Sequence, residues 1–373
     1  MHRDTEVLHA GYGTPGAPGA FVAGPQFSST YGTPGEPADH ALTYGRFHNP
    51  TWSTWESALG ALEGGDAIAF ASGMAATAAV FGVCLKPGDT VVLPSDGYYT
   101  TRVIASGWLN TIGVKHRLAP TRGDAQSDAL DGAALLWLET PSNPLLEICD
   151  IRALCDRARG RGIPVAVDNT TATPYLQRPL ALGATFVVSS DTKAMTGHSD
   201  VVLGHVATSD AERATALRTW RTQQGAIPGP METWLAHRGL ATLAVRLTRQ
   251  CASAMALAEM LRGERGVRGV REVRYPGLKD HPGHAIAAKQ MDGFGCVVSF
   301  DVGTRARADA FLRGLTLVRE MTSFGGVHSS AERRARWGGD AISEGFIRFS
   351  VGCEHSADLI EDVRQALRRA AST

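Results

Sequence analysis

The chain has 373 residues, with 37 basic and 37 acidic side chains, so its formal net charge is zero. A length of this order favours two domains, or one large α/β body with an appendage. The balanced charge argues against a protein that attracts nucleic acid or an anionic membrane through a strong field, and it fits a chain with a large buried subunit interface.

The six cysteines are scattered, and they form neither a Cys-x-x-Cys pair nor a zinc-like pattern with histidine. Several lie in apolar segments, which is typical of reduced core thiols in the cytoplasm. The first residues lack the apolar core of a secretion signal. The longest uncharged stretch, 67–85, is rich in alanine and glycine, which predicts a strand followed by a helix rather than a membrane span. We therefore expect a cytoplasmic protein that has no metal site.

In chain order, residues 1–45 are rich in Gly, Pro and Thr without a regular period, which predicts an extended arm. In residues 46–235, short apolar runs alternate with amphipathic segments such as 151–159. This alternation predicts a mostly parallel sheet with helices on both faces. The predicted strands are 67–70, 90–93, 133–138, 165–167, 186–188 and 201–203.

The pattern changes after Pro230, and we place a smaller α+β domain at 236–373. Segment 231–261 is rich in Ala, Leu, Arg and Met and contains no proline, which predicts a long helix. The remaining predicted elements are strands at 296–300 and 346–351 and an amphipathic helix at 356–371.

Two chemically useful side chains follow neighbouring strands of the predicted sheet. Asp168 comes directly after strand 165–167, and Lys193 comes shortly after strand 186–188. Alone, the aspartate could be a helix cap and the lysine a solvated loop residue. At the carboxyl edge of a parallel sheet, where ligands bind, the pair can serve pyridoxal 5′-phosphate (PLP). The lysine would form a Schiff base, and the carboxylate would keep the pyridine nitrogen protonated.

Other strand ends carry groups that suit the same cofactor. Segment 72–76 opens a helix, where free N–H groups and the helix dipole favour a phosphate and Gly73 permits close approach. Ser190 and Thr192 could add hydroxyl donors, and Tyr98 could offer an aromatic face to the ring. The alternative is a set of independent loop residues.

Together these motifs resemble the Cys/Met-metabolism PLP enzymes, which include cystathionine γ-synthase, cystathionine γ- and β-lyases and methionine γ-lyase. The resemblance covers nearly the whole chain. The matching stretches are 44–46, 49–51, 62–65, 71–76, 139–144, 168–174, 192–200, 323–326 and 348–352.

The resemblance implies a fold-type-I PLP enzyme with a seven-stranded sheet, an amino-acid substrate and a homotetramer built from two active-site dimers. It assigns cofactor contacts to Lys193 and Asp168, to the phosphate-binding Gly73, Met74, Ser190 and Thr192, to the ring-stacking Tyr98 and to Asn143 near the ring hydroxyl.

Three further roles are implied by the resemblance. Tyr44 and Arg46 would reach the phosphate bound by a neighbouring chain. Arg348 would pair with the substrate carboxylate, a task that suits a bidentate guanidinium, with Asn143 and Ser323 beside it.

The resemblance favours γ-elimination of the cystathionine γ-lyase type, with Lys193 moving protons and Tyr98 acting as an acid. Three alternatives stay open: γ-replacement on an O-acylhomoserine, elimination of an unusual leaving group in specialised metabolism, and a non-catalytic relative with a regulatory role.

The chain also departs from the family. Tyr99 and Thr100 stand where glycines are usual, Thr171 replaces an aromatic residue, His328 replaces a glutamate and Asp191 replaces a small residue. The cysteine expected of methionine γ-lyase is absent. We expect these departures to lie around the substrate, so that they alter the leaving group and spare the cofactor.

Overall fold

The computed structural model describes residues 1–12 and 20–371. The helices are α1 Arg3–His9, α2 Pro50–Glu63, α3 Gly73–Cys84, α4 Tyr99–Ile104, α5 Ala125–Asp128, α6 Ile151–Arg159, α7 Thr173–Leu176, α8 Ala211–Gln224, α9 Pro230–Leu240, α10 Leu243–Gly263, α11 His284–Gln290, α12 Arg305–Gly314 and α13 Ser356–Ala371. The strands are β1 Asp66–Phe70, β2 Thr90–Pro94, β3 Lys115–Ala119, β4 Leu135–Glu139, β5 Val165–Asp168, β6 Phe186–Ser189, β7 Gly204–Thr208, β8 Glu272–Arg274, β9 Val297–Asp301, β10 Arg319–Glu320, β11 Ser330–Arg333 and β12 Phe346–Ser350.

The first sheet has seven strands in the order β1-β7-β6-β5-β4-β2-β3. Strand β7 runs antiparallel to both of its neighbours, and the other pairs are parallel. The prediction of a mostly parallel seven-stranded sheet is therefore confirmed.

Side chains along these strands alternate between two cores, as a repeat of two residues requires. Ala67 and Ala69 pack with residues of α2, α9 and α10. Ile68 and Phe70 lie on the opposite face and pack with residues of α3 and α8. Helices therefore cover both faces, and the ends of the strands are the places where a ligand can reach the sheet.

A second sheet has five strands in the order β10-β11-β12-β9-β8. Ile347 and Phe349 of β12 are fully buried in a core that also contains side chains of α10, α12 and α13. Arg348, which lies between them in sequence, bonds instead to Asn143 at the edge of the first sheet. The alternation of β12 thus delivers one cation from the second sheet to the first.

Two strands of the first sheet differ from the prediction. The sequence does not reveal β3, because this edge strand is mostly exposed and carries polar side chains. The strand predicted at 201–203 is wrong, since β7 begins at Gly204. Leu203 instead exchanges hydrogen bonds with the Thr192 hydroxyl, at 3.0 and 3.1 Å.

The single helix predicted over 231–261 is wrong, because α9 and α10 are separate helices. The buried Arg246, in the first turn of α10, donates across the break to the carbonyls of Gly239, at the end of α9, and of Ala194. Burial lowers the pKa of Arg246 to about 10, so the group stays charged at neutral pH. Arg246 therefore ends α9 with a cation and fastens the segment that follows Lys193.

The N-terminal arm contains a short helix, α1, whose Val7 is buried in the core under the first sheet. Residues 13–19 of this arm lie outside the described residues. Helix α10 contributes to the cores of both sheets. The boundaries 1–45, 46–235 and 236–373 stay a prediction.

Residues 67–85 form most of β1 and all of α3, as expected of a strand followed by a helix. Within the two described ranges, every helix is too short or too polar to cross a bilayer.

Candidate active site

A cavity of about 510 Å³ lies where several strands of the first sheet reach their carboxyl ends. This volume falls in the range of roughly 300–1,000 Å³ typical of small-molecule sites. The predicted site residues that line it are Gly73, Met74, Tyr98, Asn143, Asp168, Ser190, Thr192, Lys193, Ser323 and Arg348.

Tyr44 and Arg46 do not line this cavity. They lie in a second pocket of about 560 Å³ beside Trp52. Arg46 donates to the carbonyl of Thr222 at 2.9 Å, and its guanidinium carbon lies 5.4 Å from the centre of the Tyr44 ring. Their expected contact with the phosphate of a neighbouring chain stays a prediction.

Lys193 extends into the cavity from the loop after β6. Its Nζ donates to the Ser323 hydroxyl at 2.9 Å and lies 5.5 Å from the centre of the Phe324 ring. Burial, together with the nearby Arg348 cation, lowers the pKa of Lys193 to about 8. Since a neutral amine is the nucleophilic form, this environment prepares Lys193 to react with a carbonyl group.

Asp168 ends β5 and lines the same cavity. Its Oδ1 accepts the N–H of Thr170 at 3.0 Å. Removal of water raises the pKa of this carboxyl, while the hydrogen bonds from Thr170 and the charge of Lys193 oppose the rise. A cationic partner in the cavity would favour the carboxylate form.

Glu139 lies opposite Asp168 in the register of β4 and β5. Its buried carboxylate accepts the N–H of Tyr98 at 2.6 Å and the N–H of Asn143 at 2.7 Å. Burial and the neighbouring Asp168 raise the pKa of Glu139 well above its usual value, and the two backbone donors oppose this. Glu139 thus fixes two predicted site residues, a role that its place at a strand end does not reveal from sequence.

The N-terminus of α3 faces the loop that carries Ser190. The Ser72 hydroxyl caps this helix by accepting the N–H of Ala75 at 3.1 Å. A Cβ on Gly73 would lie 2.6 Å from the Cβ of Ser190, so glycine is required here. Helix N–H groups and a serine hydroxyl therefore meet at one point, which is a suitable cradle for a phosphate.

Thr192 lines the cavity, yet its hydroxyl is already engaged. The hydroxyl donates to the Leu203 carbonyl at 3.1 Å and accepts the Leu203 N–H at 3.0 Å. A direct hydrogen bond from Thr192 to a phosphate would therefore require the bond to the carbonyl to break. In this structure Thr192 joins the Lys193 loop to the start of β7.

Arg348 lines the cavity from β12 of the second sheet. It donates to Asn143 Oδ1 at 2.8 Å, to the Ser323 carbonyl at 3.0 Å and to Glu332 Oε1 at 2.5 Å. These bonds use three of the five N–H donors of a guanidinium. Burial lowers the pKa of Arg348 to about 10, so it remains a cation at neutral pH. Ser323 itself adopts a φ of 81°, a strained conformation for a residue with a side chain.

A chain of ion pairs supports Arg348 from behind. Glu332 also accepts from Arg334 at 3.1 Å, and Arg334 donates to Asp340 at 2.9 Å. Asp340 in turn accepts from Arg102 of α4 at 2.7 Å. The chain therefore connects the segment after Tyr98 to the guanidinium predicted to bind substrate.

Several residues of the cavity carry no predicted role. They are Thr77, Glu139, Thr170, Val188, Val202, Thr322, Phe324, Arg334 and Trp337. The concentration of arginine at 333–336 before Trp337 is the sequence signal that could have drawn attention to the last two.

The family departures fall into two groups. Tyr99, Thr100 and Thr171 line the cavity, as expected. The expectation is wrong for the other two: the side chain of Asp191 is fully buried beside His205, and His328 is exposed outside the cavity lining. Asp191 lies elsewhere because its side chain packs beneath the loop, and His328 lies elsewhere because it is on the surface.

The cavity fits PLP on the chemistry of its own side chains. A lysine of lowered pKa, a carboxylate at a strand end and a helix N-terminus are held around one space. These groups match the aldehyde, the pyridine nitrogen and the phosphate in turn.

Comparisons with known proteins agree with this chemistry. A family model described as "Cys/Met metabolism PLP-dependent enzyme" matches residues 4–368. A putative cystathionine gamma-lyase from Streptomyces coelicolor is 52% identical over 97% of this chain and 93% of its own length. A cystathionine gamma-synthase from Mycobacterium tuberculosis is 41% identical over 97% of this chain and 96% of its own.

A solved structure shows the same fold. The cystathionine gamma synthase from Xanthomonas oryzae pv. oryzae in complex with cystathionine has a TM-score of 0.95 at 36% identity, and the match covers 100% of this chain and 99% of that one. The chain belongs to the Cys/Met metabolism PLP-dependent enzyme family. It is an enzyme, and its cofactor is PLP.

Proposed function

We propose that this enzyme eliminates the γ-substituent of an L-amino acid. The reaction would be of the cystathionine γ-lyase type, with L-cystathionine as the substrate. The products would be 2-oxobutanoate, ammonia and cysteine. The relative at 52% identity carries the name of this activity, which supports lyase chemistry over the other activities of the family.

One contact carries the proposal. The Ser323 hydroxyl accepts a hydrogen bond from Lys193 Nζ, and the Ser323 carbonyl accepts one from Arg348 Nη2. The amine that would move protons is thus held next to the guanidinium that would bind a carboxylate. In an α-amino acid the carboxylate and the acidic hydrogen are both attached to Cα, so the Lys193 amine and the Arg348 guanidinium must lie close together to act on one substrate.

Each residue has a separate task in this reaction. When bound, PLP supplies an electron sink for the negative charge that remains after a proton leaves carbon. Arg348 binds the substrate carboxylate with its remaining N–H donors and orients Cα towards Lys193. Lys193 accepts the proton from Cα and then serves the proton transfer at Cβ. Asp168 would hold the ring nitrogen, and the start of α3 with Ser190 would hold the phosphate.

The leaving group needs a proton as its bond to Cγ breaks. Tyr98 lines the cavity, and its backbone is fixed by the 2.6 Å hydrogen bond to Glu139. The phenol can donate this proton to the departing sulfur. Tyr99 and Thr100 follow in the same wall and contact the space that the distal part of the substrate would enter.

The second candidate is γ-replacement on an O-acylhomoserine, with cysteine as the incoming thiol. It is favoured by the synthase relative at 41% identity. Both reactions use the same Cα and Cβ proton transfers, so the residues above serve either one. They differ in whether water or a thiol completes the reaction.

A product assay separates the two. Purified enzyme is incubated with L-cystathionine, and in parallel with O-succinylhomoserine with and without cysteine, and products are read by mass spectrometry. Release of 2-oxobutanoate and cysteine from cystathionine at the highest kcat/KM supports the lyase. Faster formation of cystathionine from the acylhomoserine would replace it with the synthase. No turnover of either, or of a broad panel of γ-substituted amino acids including halides, would favour a non-catalytic role.

The assembly and location of the enzyme belong to the same proposal. We expect a homotetramer in the cytoplasm, in which Tyr44 and Arg46 complete the phosphate site of a partner copy. Light scattering gives the mass, and Arg46→Ala should weaken PLP binding while leaving the fold of its own subunit intact. A fully active monomer would contradict this assembly.

A further inference from the structure

A buried group of three ionisable side chains lies outside the cavity and has no part in the proposed reaction. His205 of β7 places Nδ1 2.7 Å from Asp191 Oδ1 and Nε2 3.2 Å from Glu63 Oε1. All three side chains are fully buried. We name Glu63, His205 and Asp191 the buried triad.

Geometry defines the protonation of the buried triad. A neutral imidazole can donate from one ring nitrogen alone, whereas both nitrogens of His205 face a carboxylate oxygen. With both carboxyl groups ionised, only the imidazolium satisfies both partners. Burial opposes this charge, but the carboxylates of Asp191 and Glu63 outweigh it and raise the pKa of His205 to about 10.

The buried triad lies directly beneath the parts that form the phosphate cradle. Asp191 is the residue after Ser190 and lies two positions before Lys193. His205 follows Gly204, where a Cβ would lie 2.6 Å from the backbone nitrogen of Gly73. The same ion cluster therefore holds the Ser190 loop and the strand that supports the start of α3.

The buried triad could affect phosphate binding either by its charge or by positioning the backbone, and its net charge decides between the two. With Asp191 and Glu63 ionised and His205 protonated, the cluster carries one negative charge, so it does not attract a phosphate. Its effect must come through the position of the backbone. Loss of one member would also leave a buried charge without its partner, which is strongly unfavourable in a protein interior.

We propose that the buried triad is a positioning device that sets the distance between the Ser190 loop and the N-terminus of α3, and thereby determines the affinity for the cofactor phosphate. The inference rests on the phosphate roles proposed for Gly73 and Ser190, and not on the identity of the leaving group. Asp191 and His205 are positioning residues, since neither touches the cavity.

The test compares two vitamers that differ in the phosphate alone. Dissociation constants for PLP and for pyridoxal are measured by absorbance, after dilution of the holoenzyme, for the wild type and for Asp191→Ala. We expect the constant for PLP to rise at least tenfold and the constant for pyridoxal to change less than twofold. Asp191→Asn keeps the shape of the side chain and should give an intermediate loss, which preserves the test if the alanine variant does not fold.

The matched control is Asp362→Ala. Asp362 is a buried carboxylate of α13 that accepts the backbone N–H groups of Thr316 and Leu317 at 2.9 and 3.0 Å, far along the chain from the buried triad. It should lower stability without changing the ratio of the two dissociation constants. Equal losses for PLP and pyridoxal in the Asp191 variants, or no loss, would overturn the proposal. Because no substrate is present, either result is independent of the proposed γ-elimination.

Discussion

The two walls of the cavity are held in different ways. The cofactor wall consists of Gly73, Asp168, Ser190 and Lys193, which lie on strand ends and tight loops of one mostly parallel sheet. The C-terminal wall is provided by segment 322–348, in which ion pairs with Glu332 and Asp340 hold the side chains of Arg334 and Arg348. In the first wall the backbone sets the geometry, whereas in the second the side chains set it for one another. The first should therefore tolerate remote changes better than the second.

Loss of the amine of the cofactor wall should have the largest effect. Lys193→Ala removes the group that moves protons at Cα and Cβ, and general acid–base groups contribute ~10²–10⁴-fold to rate. We expect kcat/KM for the best substrate to fall by at least that factor. Borohydride should fix the vitamer to the Lys193 peptide in the wild type and leave the variant unlabelled, as read by peptide mass spectrometry.

Lys289→Ala is the control for this change, since Lys289 is an exposed lysine of α11. It should leave both turnover and labelling unchanged. Normal turnover by the Lys193 variant would remove the mechanism altogether.

Glu332→Gln should show how strongly the C-terminal wall depends on one carboxylate. Burial opposes the charge of Glu332, but Arg348 and the Trp337 hydrogen bond outweigh it and hold its pKa below the usual value. Removing one partner of a buried ion pair costs about 3–5 kcal/mol. We expect a loss of this order in urea unfolding and a raised KM, because Arg348 loses its 2.5 Å partner.

Glu320→Gln provides the comparison on the surface. Glu320 pairs with Arg336 at 2.9 Å, but its side chain is 44% exposed. Exposed pairs are worth about 0–1 kcal/mol, so this variant should unfold near the wild-type midpoint. Similar losses for both variants would mean that burial of Glu332 does not matter.

The two walls also interact electrostatically, and the effect of Arg348 on the pKa of Lys193 can be measured by varying the pH. Lys193 has a pKa lowered to about 8 by burial and by Arg348, so its amine becomes neutral above about pH 8. The rate at which PLP combines with the cofactor-free enzyme should therefore rise with pH through this value. Arg348→Met removes the nearby cation while keeping the length of the side chain. The pKa of Lys193 should then increase, and the midpoint of the rate profile should move to higher pH. An unchanged midpoint would show that burial alone sets it.

The contrast between the walls also explains what could be predicted from sequence. Strand ends of a parallel sheet share one edge, so the spacing of Asp168 and Lys193 after apolar runs was enough to expect them in one place. The positions of Gly73 and Ser190 follow from the same rule. The close approach of Gly73 to Ser190, where a Cβ on Gly73 would lie 2.6 Å from the Cβ of Ser190, could not be predicted, because it depends on how tightly Gly204 packs against Gly73.

The C-terminal wall was much less predictable. Arg348 was expected from the family motif, but its partner Glu332 lies in a neighbouring strand and has no local signal. Arg334 and Asp340 enter the wall through a short turn whose geometry depends on its own ion pairs. Likewise, Asp191 was expected near the substrate as one of the departures from the family. The side chain of Asp191 instead turns away from the cavity and is buried against His205.

The smallest expected effect concerns the connection between the walls. Arg102 donates to Asp340 at 2.7 Å and, from the same nitrogen, to the Gly97 carbonyl at 3.2 Å, so Arg102→Ala frees the segment that carries Tyr98. Because Asp340 keeps Arg334 as a partner, we expect a loss of roughly 1 kcal/mol in stability and a rise of a few-fold in KM with little change in kcat. Arg157→Ala, which removes an exposed pair with Asp124, should change neither.

A double variant decides whether the ion pairs act as one unit. Distant mutations add to within about 0.3–0.5 kcal/mol, whereas members of one network deviate by more. Arg102 and Glu332 share no direct contact but are joined through Asp340 and Arg334. If Arg102→Ala and Glu332→Gln together cost less than their sum, the pairs transmit the position of the Tyr98 segment to Arg348. Strict additivity would instead mean that the C-terminal wall is a set of independent pairs, and that Tyr98 and Arg348 are positioned separately.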